Sequence, residues 1–209
     1  MQTPTSRTAL ASSLAPADPL PPLPPAPDFP DVPPGHPYRE AIGVLADEGV
    51  IRGYPDGHFG PDDPTLRAQM AALICRAMGW DREDRATPFP DRGDVDPDLW
   101  RNVGVLAARG VAKGYADGTY APTADVLYAQ TISFIARAMV AKGYWVAQPD
   151  DPAVYPNVPA DSGHRQDLAT YVHYTGPVPT TRPGDRWGPW DQPATRGWFA
   201  QALYLALVS

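Results

Sequence analysis

Lysine is nearly absent: Lys113 and Lys142 are the only two, and the remaining positive charge is arginine. Cysteine is scarcer still. Cys75 stands alone, so no intrachain disulfide and no cysteine-based zinc site can form. No apolar run approaches the roughly 20 residues that span a bilayer as a helix. The formal net charge is -7, which leaves no basic field to attract nucleic acid or an anionic membrane. His36, His58, His164 and His173 lack metal-ligand spacing. No phosphate loop, nucleophile elbow or motif-framed catalytic pair is present. These absences argue against an enzyme and against any cofactor or metal.

What is abundant is proline, 28 residues in a chain of 209. Pro4, Pro16, Pro19, Pro21, Pro22, Pro24, Pro25 and Pro27 fall within residues 1–28, a stretch otherwise rich in Ala, Ser and Leu. Such a segment supports neither helix nor sheet ladder and reads as an extended tail or linker. Two roles stand for it: a flexible linker, or a tether lying on a partner chain or on the body. It does not read as an export signal, because the stretch from Ala9 to Ala15 is short and holds two serines.

After the tail the chain repeats itself. Gly49-Val-Ile-Arg-Gly-Tyr-Pro-Asp-Gly-His-Phe-Gly-Pro61 returns as Gly110-Val-Ala-Lys-Gly-Tyr-Ala-Asp-Gly-Thr-Tyr-Ala-Pro122, at an offset that stays constant from Gly43/Gly104 to Met78/Met139. A fixed period means repeated supersecondary units. Within each unit, an amphipathic helix stops near Gly49 or Gly110. A tight turn follows, with Gly57 or Gly118 at a position that favours positive φ. A second apolar stripe comes next, over 64–78 through Leu66, Met70, Leu73, Ile74 and Ala77, with Asp63-Pro64 as its expected start. Arg67 falls off that stripe, and Cys75 reads as an inert buried thiol. Asp56-Gly57 and Asp117-Gly118 read as turns whose carboxylates bond their own backbone, since the run lacks the ligand order of a calcium loop. In the last third, Leu168, Tyr171 and Val172 mark one helix, and Phe199, Leu203 and Leu207 mark another over 195–208. Units of about 60 residues bury too little surface to stand alone, so a shared core is expected.

This pattern resembles the S-layer homology family. The matching residues in the first copy are Phe29-Pro-Asp31, Gly49-Val50-Ile51, Gly53-Tyr54, Asp56-Gly57, Phe59, Pro61 and Leu66-Arg67-Ala68-Gln69. In the second they are Phe89-Pro-Asp91, Trp100, Gly110-Val111, Gly114-Tyr115, Asp117-Gly118, Tyr120, Pro122 and Tyr128-Ala129-Gln130. A worn third copy runs from Tyr155-Pro-Asn157 through Trp187-Gly-Pro189 to Thr195-Arg196-Gly197. The division expected is a tail over 1–28 and repeats over 29–86, 87–150 and 151–209.

The resemblance implies a mainly α protein, with three helix-loop-helix repeats in a pseudo-threefold arrangement around a central three-helix bundle. It also implies grooves between repeats that bind cell-wall polysaccharide, on the outside of a bacterial cell. Its groove arginine falls at Arg67 and Arg196 and is replaced by Tyr128 in the second copy, so two anionic-sugar grooves are expected at most. An arginine fork can grip a sugar carboxylate bidentately, and a helix N-terminus adds positive partial charge there. The bland alternative is that Arg67 pairs with Asp62, Asp63 or a neighbouring repeat's carboxylate. Trp100 and Tyr38 are the aromatic groove candidates, with Asp31 and Asp91 beside them. The family's capping threonine is Leu66 and Leu127 here and survives as Thr195. Its glutamate is Gln69, Gln130 and Trp198, so the reciprocal capping box is expected to be lost. Trp187, Trp190 and Trp198 form either a sugar platform or an apolar patch for a protein partner. The alternative function is a structural subunit or adaptor of a surface-layer or other extracellular assembly.

Overall fold

The computed structural model describes residues 28–151, 158–176 and 190–209. They form six helices: α1 (Arg39–Asp47), α2 (Arg67–Ala77), α3 (Pro97–Ala108), α4 (Tyr128–Lys142), α5 (Arg165–Thr175) and α6 (Arg196–Val208). The protein is mainly α, as expected. Among the described residues the only extended pairing is a set of isolated bridges, Pro64 with Thr195, Leu66 with Asp125 and Leu127 with Pro193. The start of the third copy and its Trp187-Gly-Pro189 motif lie outside the described residues, as does the tail through Pro27.

α2 does not begin where Asp63-Pro64 suggested. α2 starts at Arg67, with Leu66 extended at its N-cap. Residues just before it are drawn into backbone bonds between repeats. The Thr65 N–H donates to the Ala194 carbonyl at 3.0 Å, Ala194 N–H to Val126 at 2.8 Å, and Val126 N–H to Thr65 at 2.8 Å. These bonds close a ring. The Asp-Pro start that was expected at Asp63 occurs instead at α3, where Asp96 accepts from the N–H groups of Asp98 and Leu99 and Pro97 opens the helix.

α2 packs on α3, α4 on α5, and α6 on α1. α4 also touches α2 and α6. The core is continuous through all of them. Phe59, Tyr120, Tyr171, Trp198 and Phe199 are fully buried, each contributing about 1.5–3 kcal/mol of burial. The Tyr171 hydroxyl bonds the Ala202 carbonyl at 2.8 Å, tying α5 to α6. Between α6 and α1 the Tyr204 hydroxyl donates to Glu40 Oε1 at 2.8 Å.

Candidate functional site

The two arginines occupy equivalent stations, the first position of α2 and of α6. Each leans over the turn-and-aromatic segment of another repeat. Arg67 donates from Nε to the Tyr120 carbonyl at 2.7 Å and from Nη1 to Gln130 Oε1 at 3.1 Å. Its guanidinium sits 4.8 Å from the Tyr115 ring centre and 4.6 Å from that of Tyr120. Arg196 donates from Nε to the Phe59 carbonyl at 2.9 Å and from Nη2 to the Arg52 carbonyl at 3.2 Å. Its guanidinium lies 4.6 Å from Tyr54 and 4.8 Å from Phe59. Both are cation–π arrangements, at distances where the ring quadrupole attracts the cation.

The stations differ in access. Arg67 is 3% exposed, which corrects the expectation that it lies off the buried stripe: the Tyr115 and Tyr120 rings of the next repeat cover it. Arg196 is only half-buried. Among the described residues neither arginine has an ion-pair partner, so the pairing with Asp62 or Asp63 does not form. Asp63 accepts instead from the Tyr54 hydroxyl at 2.9 Å.

The loops under the arginines are held by Asp31 and Asp91. Asp31 accepts from the N–H groups of Phe59 and Gly60 at 2.9 and 2.7 Å. Asp91 does the same for Tyr120 and Ala121 at 2.9 and 2.7 Å. Each carboxylate therefore fixes the residue whose carbonyl receives an arginine Nε. Burial pushes the Asp31 carboxyl up, but the Phe59 and Gly60 N–H groups outweigh it and hold the group below the ordinary carboxylate value.

The helix N-termini were expected to offer positive charge to a ligand. They are occupied. Arg67 and Ala68 donate their N–H groups to Ala124 and Pro122, Tyr128 and Ala129 to Gln192 and Trp190, and Arg196 and Gly197 to Asp63 and Pro61, all at 2.8–3.0 Å. The donors of three helix starts thus fasten together segments that are far apart in the chain. The capping box survives in halves. Gln69 and Gln130 accept from the N–H groups of Leu66 and Leu127, while Thr195 accepts from Trp198 N–H.

Trp100 is half-buried, edge-on to Tyr120 with centres 6.4 Å apart, so it reaches the Arg67 station through that ring. Tyr38 lies over the start of α6: a Cβ on Gly197 would come within 2.5 Å of it. Tyr128 is buried, its ring 4.4 Å from Trp198. Trp198 is 2% exposed, which removes it from the expected aromatic surface; it faces inward to pack on Tyr128. Trp190 is partly buried against the core, and Trp187 lies outside the described residues. The sequence reading overlooked Tyr54, Tyr115 and Gln130 as arginine partners. The recurrence of tyrosine after Gly53 and Gly114 was the available signal, read there only as part of a turn.

The S-layer homology domain model matches residues 28–71 and 88–132. These two segments are S-layer homology repeats. It is 32% identical to the surface layer protein of Brevibacillus choshinensis over 128 residues, 60% of this chain and 11% of that one. It is 31% identical to the middle cell wall protein of Brevibacillus brevis over 112 residues, 52% of this chain and 10% of that one. A cellulosome-anchoring protein of Acetivibrio thermocellus is 28% identical over 107 residues, 47% of this chain and 23% of the other. The chain spans about a tenth of the length of the two Brevibacillus relatives. Among the described residues no helix is long and apolar enough to cross a membrane.

Proposed function

We propose that this S-layer homology protein is a non-catalytic module docking noncovalently on the polysaccharide of a bacterial cell wall, at the cell surface. Three repeats form a pseudo-threefold body around α2, α4 and α6, and glycan binds at their seams. The ring of backbone bonds through Thr65, Val126 and Ala194 supports that body. The observation that carries the binding is Arg196: a half-exposed guanidinium, held by two backbone carbonyls and a tyrosine face, with no carboxylate to neutralise it among the described residues. An uncompensated, preorganised fork suits a sugar carboxylate, and a charge-assisted bond of this kind contributes about 1.5–3 kcal/mol.

In this reading Arg196 with Tyr38 forms the open groove, and Arg67 with Trp100 the closed one. Asp31 and Asp91 position the loops rather than touch glycan. Tyr128 leaves its seam without a cation. The printed names of the relatives, surface layer, middle cell wall and cellulosome-anchoring proteins, support a wall-associated role.

Cosedimentation with isolated cell walls tests the proposal. Retention should vanish when the wall polymer is extracted. Arg196→Lys, which keeps charge but loses the fork, should weaken it, and Arg196→Ala should weaken it further. Retention that ignores both variants overturns the assignment. A second reading, a subunit of a surface assembly, is favoured by the match to the surface layer protein; copurification of a stoichiometric partner without wall retention would select it.

A further inference from the structure

Two polar contacts cross from α4 to α5. The Ser133 Oγ lies 2.8 Å from His164 Nδ1. One turn further along each helix, Arg137 pairs with Asp167 Oδ2 at 2.5 Å. Ser133 is 1% exposed, while His164, at the N-cap of α5, is half-buried. Among the described residues Nδ1 is the hydrogen-bond partner of the Ser133 hydroxyl. A buried hydroxyl proton needs an acceptor, so Ser133 donates, Nδ1 accepts, and the imidazole is neutral with its proton on Nε2.

A second proton is poorly accommodated there. An N–H at Nδ1 forces the Ser133 hydroxyl to turn and accept, which strands the hydroxyl's own proton in a buried site. The charges facing the ring are mostly of the same sign: Arg137 from α4, Arg67 from the start of α2 and Lys113 from the loop after α3. Asp167, on α5 itself, is the opposing charge, and Arg137 already engages it. If Asp167 turned to His164, Arg137 would be left 16% exposed and without that partner. Arg165 follows His164 but is directed to Asp150 and the Val158 carbonyl. The N-terminus of α5 adds positive partial charge at the same point. Burial first, and then the three cations against Asp167, hold the imidazole below its ordinary value. The Tyr171 tie to Ala202 does not titrate in acid, since burial pushes that hydroxyl up. His173, the other imidazole of α5, is exposed and lies edge-on to Tyr174. We propose that Ser133 and His164 form an acid-opened latch between α4 and α5, closed while the imidazole is neutral and released by a proton taken from solvent onto Nδ1. Its contribution is full above the unfolded value, near pH 6.5, and is lost as pH falls through the depressed folded value.

NMR of the full chain tests the latch in two ways. The ring carbons and protons of His164 should titrate with a midpoint below about 6.5. Ser133→Ala, which removes the donor to the neutral ring, should move that midpoint upward. Amide exchange, corrected for its intrinsic pH dependence, should report the opening itself. Between about pH 7.5 and 5 the α5 amides should open about fivefold or more as often. Those of α2, which packs on α3, should change little. His164→Asn keeps a residue suited to an N-cap and removes the titration, so α5 exchange should become flat over the same range while His173 remains. The proposal is overturned if His164 titrates at or above the ordinary imidazole value, if α2 and α5 accelerate equally, or if His164→Asn leaves the acid response of α5 in place. The ring titration needs no variant, so it decides even if a substituted chain fails to fold.

Discussion

Arg67 and Tyr120 hold each other by exchange: the Arg67 Nε–H donates to the Tyr120 carbonyl at 2.7 Å, and the Tyr120 hydroxyl donates back to the Arg67 carbonyl at 2.9 Å. The ring carrying that hydroxyl lies under the guanidinium. One residue begins a helix of the first repeat and the other ends the loop of the second, so this single pair spans a seam. Arg196 makes the first of these bonds, to Phe59, but phenylalanine has no hydroxyl to answer with.

Arg67→Ala should therefore act mainly on stability, with a loss of about 2–3 kcal/mol from the buried carbonyl and glutamine left without their donor. Arg196→Ala, at a half-exposed station, should lose less than about 1 kcal/mol and show its effect in wall retention instead. Urea denaturation alongside cosedimentation separates the two. Equal stability losses would remove the distinction between a closed and an open groove.

Asp31 supplies a pH dependence whose direction is fixed. Its carboxyl is held below the ordinary value in the folded protein. The stabilisation is thus full above the unfolded value, near pH 4, and is lost as pH falls through the depressed folded value. Asp31→Asn should flatten that part of the stability–pH profile, the limb that falls away below the unfolded value. It should also lower stability at pH 7 by about 1–2 kcal/mol, because the amide oxygen can accept from only one of the Phe59 and Gly60 N–H groups and its NH2 faces the other. An unchanged acid limb in the variant would contradict the assignment.

Cys75 should be silent toward thiol reagents in the native protein. It is fully buried, and burial pushes its thiol up to about 12, so thiolate is nearly absent at neutral pH. Labelling with a maleimide should track global unfolding in urea. Rapid labelling of the folded chain would mean that α2 opens locally.

Removing α6 should unfold more than the third repeat. α1 packs on α6, and Gly197 sits against Tyr38 and Pro61. A chain ending before Arg196 should lose helical circular dichroism across the whole body, and amide protection in α1 should collapse with it. A truncated chain that keeps α1 protected would show that the repeats fold independently.

The local grammar of the chain was legible in advance. Alternating turn glycines and apolar stripes located the helices: α6 was expected over 195–208 and spans Arg196–Val208. The roles of Asp56 and Asp117 as turn carboxylates also follow from their own neighbourhoods. What stayed hidden depends on segments far apart in the chain. The burial of Arg67 requires a loop 53 residues away, and the Arg196 Nε finds its acceptor 137 residues earlier. The same distance explains the misplaced start at Asp63-Pro64. Its local chemistry is that of a helix N-cap, but the bonds to Ala194 and Val126 hold the next residue extended. Repetition shows that copies exist; it does not show which face of one copy meets the next.

The pairing of α1 with α6 also sets when the body can close. During synthesis α1 emerges long before α6, the helix it packs against. Until α6 has been made that pairing is unformed, and the body stays incompletely folded. A chain in that condition can still be threaded through a narrow channel, and a chaperone has a defined apolar stretch to shield in the meantime.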